Sequence, residues 1–186
     1  KDACWVYQGS FSKTLSPGLR LGFLVAHPAL YPALLKLKQA ADLHSNRLSQ
    51  HIVLQALQQG MVEAHVARNL PLYRQRRDAM QAALMQHLSG MADWVVPKGG
   101  LFFWLRLHER IDGTALLHAA IERGLVFMPG DAFFAGEPEY SALRLNFSHS
   151  NPDEIRRGVE VLAQLLNHIR VVPDCARQSE TAILPE

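Results

Sequence analysis

The stretch from residue 9 to residue 22, GSFSKTLSPGLRLG, concentrates the reactive side chains of the first part of the chain. It holds an amine at Lys13, hydroxyl groups at Ser10 and Ser12, and a guanidinium at Arg20. Hydroxyls, free backbone N–H groups and a guanidinium on one loop suit the binding of a phosphate. Lys13 is either a further phosphate contact or a nucleophile, because a partly desolvated amine near a second cation gives up its proton more readily.

Two apolar runs flank this stretch, and both are predicted to be strands. Residues 5–7 read WVY and are expected to form a short buried strand, while residues 19–26 lead into a second strand. Pro17 and Gly18 predict a turn between them. The alternative is a surface loop with a solvated lysine and arginine, which the apolar runs on both sides disfavour.

A second candidate site is Arg144, in the run ALRLNFS at residues 142–148. The run alternates, so that Leu143, Leu145 and Phe147 face one way while Arg144 faces the other. A guanidinium in such a strand needs an acceptor for its fork of donors, and a carboxylate is the natural bidentate partner. The alternative is an arginine that is merely solvated on a half-exposed strand.

Three further segments carry clear helix-start signals. Asn46 is a plausible N-cap for a helix over residues 47–59, and Asp112 for one over residues 113–123. Asn151, followed by a proline and then an acid at Glu154, predicts a third helix that runs to about residue 169. Pro71 interrupts the helical pattern of residues 61–88, which predicts a kink or a break near residues 69–70.

The pattern Ser-x-Ser-Lys-x-x-x-Pro-Gly-Leu-Arg-Leu-Gly resembles the cofactor-lysine motif of class I/II aminotransferases, the fold-type I enzymes that use pyridoxal 5′-phosphate. The resemblance implies that Lys13 forms a Schiff base with this cofactor, and that Ser10, Ser12 and Arg20 hold its phosphate. The run LRLNFS is similar to the family's strand whose arginine binds the substrate α-carboxylate, which assigns that role to Arg144.

Weaker likenesses concern the surroundings of the pocket. Ser45 and Asn46 resemble a segment that approaches the neighbouring subunit's site in some members, which implies that Asn46 binds substrate. Pro129, Gly130 and Phe133 resemble the turn before the aromatic rim of the pocket. The sites of such enzymes usually lie at a dimer interface, so the resemblance also implies a homodimer.

The resemblance implies an α/β fold made of the last strands and helices of the large domain and of the small C-terminal α+β domain. Residues 1–60 are expected to end the large cofactor-binding domain and residues 61–88 to form an interdomain helix region. Residues 89–170 are expected to form the small domain, and residues 171–186 a tail.

The implied activity of the whole protein is transfer of an amino group from an α-amino acid to a 2-oxo acid, closest to the 2-aminoadipate/kynurenine type. Only twelve residues precede Lys13, so we expect the chain to be the C-terminal part of a longer protein and inactive alone. One alternative is the effector domain of a winged-helix transcription regulator of the MocR type. Only this alternative would imply nucleic acid binding. Another is different chemistry on the same cofactor, such as decarboxylation or β-elimination.

The composition, with 48% apolar and 19% charged residues among 186, allows a sizeable core. A net charge of +2 is too small to indicate nucleic acid binding. Cys4 and Cys175 make neither a disulfide framework nor a metal motif, and no histidine spacing predicts a metal site. No stretch has transmembrane length and no signal peptide is evident, so we expect a cytoplasmic protein without membrane contact.

Overall fold

The computed structural model describes residues 3–169. The chain divides into two compact units, with the boundary between Pro71 and Leu72. The predicted α/β class is confirmed, since both units combine helices with antiparallel strands. Of the domain boundaries expected from the sequence, those at residues 60 and 88 stay predictions, and the expected tail at 171–186 lies outside the described residues.

The first unit opens with two antiparallel strands, β1 and β2, followed by two helices. Val6 of β1 pairs with Ala26 of β2, and Ser10 pairs with Gly22. Asn46 caps the second helix as predicted, because its side-chain oxygen accepts from the Ser49 N–H at 3.0 Å. The elements are β1 (Val6–Ser10), β2 (Gly22–Ala26), α1 (Tyr31–Asp42) and α2 (Arg47–Gln58).

The prediction that the first strand is buried is wrong for the described chain. Trp5, Val6 and Tyr7 are 49%, 50% and 60% exposed. A two-stranded ribbon has no second layer of its own to cover its faces. Among residues 3–71, Val53 and Ala56 are the two that are buried, so the first unit has little core.

Helix α3 runs without interruption from Met61 to His87 and contains Pro71. The sequence predicts a kink or a break near residues 69–70; the break is wrong, and the kink stays a prediction. A proline inside a helix removes one backbone hydrogen bond and crowds the preceding turn. In a helix of 27 residues the remaining bonds and the packing of its apolar positions outweigh that local cost.

The second unit is built on a four-stranded antiparallel sheet with the strand order β3-β4-β6-β5. In β3, Ala92 and Trp94 pair with Leu107 and Leu105 of β4. The elements that follow α3 are β3 (Ala92–Trp94), β4 (Phe102–Leu107), α4 (Gly113–Ile121), β5 (Met128–Pro129), β6 (Ala142–Asn146) and α5 (Pro152–Ile169).

The core of the second unit lies between the inner face of this sheet and the helices. The predicted alternation of β6 is confirmed, since Leu143, Leu145 and Phe147 are buried whereas Arg144 and Asn146 are not. The stripe of α5 packs into the same cluster, as do residues of α3 and β4. The most completely buried large side chains of this unit are Leu84, Leu88, Phe103, Leu105, Leu116, Leu143 and Leu162.

Capping side chains fix the starts of α4 and α5 as predicted. Asp112 Oδ1 accepts from the N–H groups of Thr114 and Ala115 at 2.9 and 3.0 Å. Asn151 Oδ1 accepts from the Glu154 N–H at 3.0 Å, and Glu154 Oε2 accepts from the Asn151 N–H at 2.8 Å. This reciprocal pair is a capping box, which ties α5 to the end of β6. Across residues 3–169, none of the helices has the length and apolar character needed to span a bilayer.

Candidate active site

The segment that joins the end of β1 to β2, called here the Lys13 loop (residues 10–21), is closed at its base by backbone hydrogen bonds. The Phe11 N–H donates to Leu21 O at 3.1 Å, which continues the pairing of the two strands. The Leu15 N–H then donates back to Phe11 O at 2.9 Å, which closes a turn around Lys13. The side chain of Lys13 is exposed on this turn.

Ser10 and Ser12 lie at the start of the Lys13 loop. The Ser12 N–H donates to Ser10 Oγ at 3.2 Å, a local contact that serine side chains often make two residues along the chain. The backbone therefore turns after Ser10, instead of staying extended with both hydroxyls on one side. The Ser10 oxygen accepts this bond, and its O–H stays available to donate to another group.

Arg20 lies at the end of the loop in a left-handed conformation, with φ of 49°. This region is unusual for a residue other than glycine and costs about 1 kcal/mol. The Arg20 N–H and its Nη1 both donate to Pro17 O at 3.3 Å, which holds the side chain against the turn. One of the five guanidinium donors is used in this way, and the other four remain for an anion.

At the base of the loop Gly22 is required by packing against backbone, and Gly9 lies against an exposed ring that can move. A Cβ added at Gly9 would lie 2.3 Å from the Phe23 ring. A Cβ at Gly22 would lie 2.8 Å from Gly9 O, which is a backbone atom that cannot turn aside. Gly18, by contrast, has room for a Cβ, with Ser16 Oγ at 3.7 Å as its nearest neighbour. Gly22 therefore fixes the strand approach that supports the Lys13 loop.

Asn46 is exposed at the start of α2, and its side-chain oxygen is used for capping. The amide NH₂ of Asn46 stays available to donate to a ligand. The preceding residues line a groove of the first unit that also contains Phe11 and Leu21, the residues at the base of the Lys13 loop. The structure thus brings the segment around Ser45 next to that base.

Arg144 lies on the outer face of the second unit's sheet, opposite Trp104 of β4. Its guanidinium carbon is 4.3 Å from the centroid of the Phe102 ring and 4.4 Å from that of the Phe133 ring. Both distances fall well within the range of a cation–π contact. Two aromatic rings therefore contact the guanidinium.

The hydrogen-bond donors of Arg144 are only partly used. Nη2 contacts the thioether sulfur of Met128, which is a weak acceptor. Nε is buried and has no hydrogen-bond partner within the part of the chain that the structure describes. A guanidinium in such a position lacks the strong acceptor that its charge favours. Since Nε is covered, a carboxylate has to approach through the two terminal nitrogens.

Sequence reasoning singled out Arg144 but missed most of its neighbours. Phe102 lies two residues before Trp104 on the same face of β4, a spacing visible in the run LFFWLRL. The cross-strand register is not visible in the sequence, so the sequence does not reveal that Phe102 lies near Arg144. Phe133 was expected at a pocket rim from the family resemblance, whereas its contact with the guanidinium was not expected. No pattern in the sequence indicates that Met128 contacts Arg144.

The candidate residues fall into two groups. Ser10, Ser12, Lys13 and Arg20 share the Lys13 loop in the first unit. Arg144 lies in the second unit, among its aromatic neighbours.

A model of the family described as aminotransferase class I and II matches residues 1–162. Aromatic-amino-acid aminotransferase 1 of Thermococcus litoralis is 37% identical over 161 residues, which are 87% of this chain and 39% of that protein. The 2-aminoadipate transaminase of Thermus thermophilus is 38% identical, again over 87% of this chain and 40% of that protein. The chain thus spans about two fifths of the length of these curated relatives.

Solved structures of aminotransferases have the same fold over most of the chain. The kynurenine aminotransferase of Pyrococcus horikoshii, in complex with PMP, matches with a TM-score of 0.81 at 33% identity, over 90% of this chain and 41% of that one. The α-aminoadipate aminotransferase of Thermus thermophilus, complexed with N-(5′-phosphopyridoxyl)-L-leucine, matches with a TM-score of 0.79 at 37% identity, over 90% and 43%.

Some relatives are described as transcription regulators. The HTH-type transcriptional regulator YisV of Bacillus subtilis is 30% identical over 159 residues, which are 86% of this chain and 32% of that protein. It and the aminotransferases match nearly the same share of the chain. One family model matches residues 1–162, and two relatives are 37% and 38% identical to the chain. The chain therefore belongs to the class I and II aminotransferase family.

Proposed function

We propose that the protein containing this chain is a pyridoxal 5′-phosphate-dependent aminotransferase that acts on α-amino acids and 2-oxo acids as a homodimer. The observation that carries the proposal is the Lys13 loop, where one amine, two serine hydroxyls and one guanidinium share a short turn. The structures of similar aminotransferases with PMP or a phosphopyridoxyl amino acid support the choice of cofactor.

The donors of the Lys13 loop fit the phosphate of this cofactor. The Ser10 O–H and four N–H groups of Arg20 are free to donate within the described chain, and a phosphate offers several charged acceptor oxygens. The loop is held in place by the hydrogen bond between Phe11 and Leu21 and by Gly22 beneath it. Such a site needs little rearrangement on binding, which reduces the entropic cost.

Lys13 would supply the amine that holds the cofactor, and its amine would also carry the proton. Bound pyridoxal phosphate would supply an electron-withdrawing ring, which stabilises negative charge at the substrate Cα. With cofactor and amino acid bound, Lys13 Nζ would take the proton from the substrate Cα as general base and return it later as general acid. An exposed side chain of four methylene groups has the freedom for this movement.

Arg144 binds the α-carboxylate of the amino acid or oxo acid. Its terminal nitrogens present two parallel N–H groups, which match the two oxygens of a carboxylate. The carboxylate then fixes the substrate so that its Cα–H bond is aligned for proton transfer. Asn46 is the second proposed substrate contact, through its free amide NH₂.

The activity is tested with the intact protein, L-2-aminoadipate as amino donor and 2-oxoglutarate as acceptor. We expect turnover in the wild type, and a loss of about 10³-fold or more in kcat for Lys13→Ala, because a general base is removed. Lys36→Ala is the matched control, since Lys36 is an exposed lysine of α1 in the same unit. A Lys13→Ala variant that keeps the wild-type rate would refute the assignment.

The match to a transcription regulator favours a second candidate function, an effector domain that follows a winged helix. In that case Lys13 and Arg144 would bind a cofactor and an amino acid without rapid turnover. Specific binding of the intact protein to one DNA sequence, with no transamination, would support the regulator and exclude the enzyme.

A further inference from the structure

The two rings that contact Arg144 come from different parts of the second unit. Phe102 lies on β4 and is diagonal to Arg144 across the strand pair, because Trp104 is the residue directly opposite. Phe133 ends the short helical turn Asp131–Phe133, which connects β5 to the loop before β6. A strand neighbour and a separate turn thus converge on one guanidinium.

The turn that carries Phe133 is fixed by its backbone. The Gly130 N–H donates to Ala142 O at 2.7 Å, and the Phe133 N–H donates to Gly130 O at 2.9 Å. A Cβ at Gly130 would lie only 2.5 Å from Ala142 Cβ, so the close approach requires glycine. The Phe133 ring also meets Trp104 edge-on, with centroids 5.8 Å apart. The backbone of the turn and the contact with Trp104 therefore hold Phe133 in position, although 47% of the residue is exposed.

We propose that Phe102 and Phe133 form an aromatic clamp, which holds the Arg144 guanidinium ready to receive the substrate carboxylate. The inference rests on the proposed role of Arg144 as carboxylate site. An unrestrained arginine side chain loses rotamer entropy when it is fixed in one conformation. The clamp fixes the Arg144 side chain when the protein folds. Binding of the carboxylate therefore does not carry this entropic cost.

The geometry also explains why aromatic residues are used here. A carboxylate at this position would compete with any fixed acidic partner of Arg144, and no hydrogen bond or ion pair with such a partner is found within residues 3–169. Aromatic faces attract the cation through their quadrupoles and leave the N–H edge open. The clamp therefore steadies the charge without blocking the donors. Phe102 and Phe133 act through Arg144 and are positioning residues.

The test is a binding titration of the intact protein with 2-oxoglutarate, followed by steady-state kinetics. Phe133→Leu is expected to weaken binding about tenfold, the effect of losing one desolvated cation–π contact. Phe133→Tyr keeps an aromatic face and is expected to stay within about threefold of the wild type. Because the carboxylate is held equally in ground and transition states, KM should rise while kcat changes less than about twofold.

Phe134→Leu is the matched control. Phe134 is the next residue of the same loop, and its ring contacts Trp104 and Tyr140. The clamp predicts wild-type binding for this variant. Equal weakening by the Phe134 and Phe133 variants would overturn the clamp and indicate a general effect of the aromatic cluster.

Arg144→Lys separates the clamp from the function on which it rests. If Arg144→Lys abolishes 2-oxoglutarate binding whereas Phe133→Leu matches the wild type, the clamp is refuted and the carboxylate site stands. If Arg144→Lys binds as well as the wild type, the proposed carboxylate site is refuted and the clamp with it. A rise in kcat equal to the rise in KM for Phe133→Leu would also contradict the clamp, since it would mean that the lost contact had stabilised the ground state and not the transition state.

Discussion

Asn46 shows how one side chain can serve a helix and a ligand through different atoms. Its oxygen accepts from the Ser49 N–H and caps α2, and its NH₂ group is available for the proposed substrate contact. The two roles are separable because serine is as good an N-cap as asparagine but has no amide.

We predict that Asn46→Ala destabilises the protein by about 1 kcal/mol through loss of the cap and also raises KM for the amino donor. Asn46→Ser should keep the stability of the wild type and show the same rise in KM. Thermal denaturation and steady-state kinetics of the two variants measure the two effects separately. A normal KM in the serine variant would restrict Asn46 to capping.

Residue-level prediction from the sequence worked where the partner is close in the chain. The caps at Asn46, Asp112 and Asn151 were predicted because each cap bonds a residue two or three positions away. The contact of Arg144 with Phe102 and Phe133 depends on the register between β4 and β6 and on the path of a turn. Neither the register nor the path of the turn can be read from a local sequence pattern. The sequence therefore predicts only that Arg144 needs an acceptor.

At the scale of elements, the Lys13 loop depends on the close pairing of β1 and β2. Gly22→Ala would place a methyl group 2.8 Å from Gly9 O. We predict a loss of about 1–3 kcal/mol in stability, as for other overpacked sites, and weaker binding of pyridoxal phosphate by the intact protein.

Gly18→Ala is the control for that change, because a Cβ there meets its nearest atom at 3.7 Å. It should bind the cofactor as the wild type does. A titration followed by visible absorbance compares the two variants. Equal affinity in both would mean that the strand pairing does not support the cofactor site.

The turn that carries Phe133 gives a second prediction at this scale. Gly130→Ala would bring a methyl group to 2.5 Å from Ala142 Cβ and 2.8 Å from Ala142 O, so the turn has to move. We predict a higher KM for 2-oxoglutarate, since Phe133 would leave Arg144. Gly136→Ala, in the following loop, has no atom within 4 Å of its Cβ and should have the wild-type KM. The reverse order of the two KM values would contradict this account.

The predictions for helices and strands agree best with the structure in the second unit. They agree least in the first unit, where the predicted burial is wrong. The alternation of β6 was predicted because one face of that strand packs on its own unit's core. The run at residues 5–7 is predicted to be a buried strand from its apolar residues, but Trp5, Val6 and Tyr7 are half-exposed. An apolar side chain favours burial, but the sequence of its own strand does not show which segment covers that side chain.

At the scale of the whole molecule, the first unit exposes much apolar surface. Large side chains of β1, β2, α1 and α2 are more than 40% exposed, among them Phe23, Leu37 and Leu48. Soluble proteins rarely leave contiguous apolar patches of that kind uncovered. The chain accounts for about two fifths of its relatives' length, and such a surface fits a unit that packs against further protein.

We predict that a polypeptide of residues 1–186 alone shows no transamination under conditions in which the intact protein is active. The described residues include the proposed phosphate contacts and the proposed carboxylate site, whereas none of them is proposed to hold the cofactor ring. The assay is amino transfer from L-2-aminoadipate to 2-oxoglutarate with added pyridoxal phosphate. Full turnover by the isolated polypeptide would show that these residues form a complete site.

The account depends most on the covalent attachment of the cofactor at Lys13. The direct measurement is reduction of the intact protein with borohydride in the presence of pyridoxal phosphate, followed by mass spectrometry of its peptides. We predict a phosphopyridoxyl group on Lys13 of the wild-type protein and no label in the Lys13→Ala protein. A label on another lysine, or no label at all, would contradict the proposal.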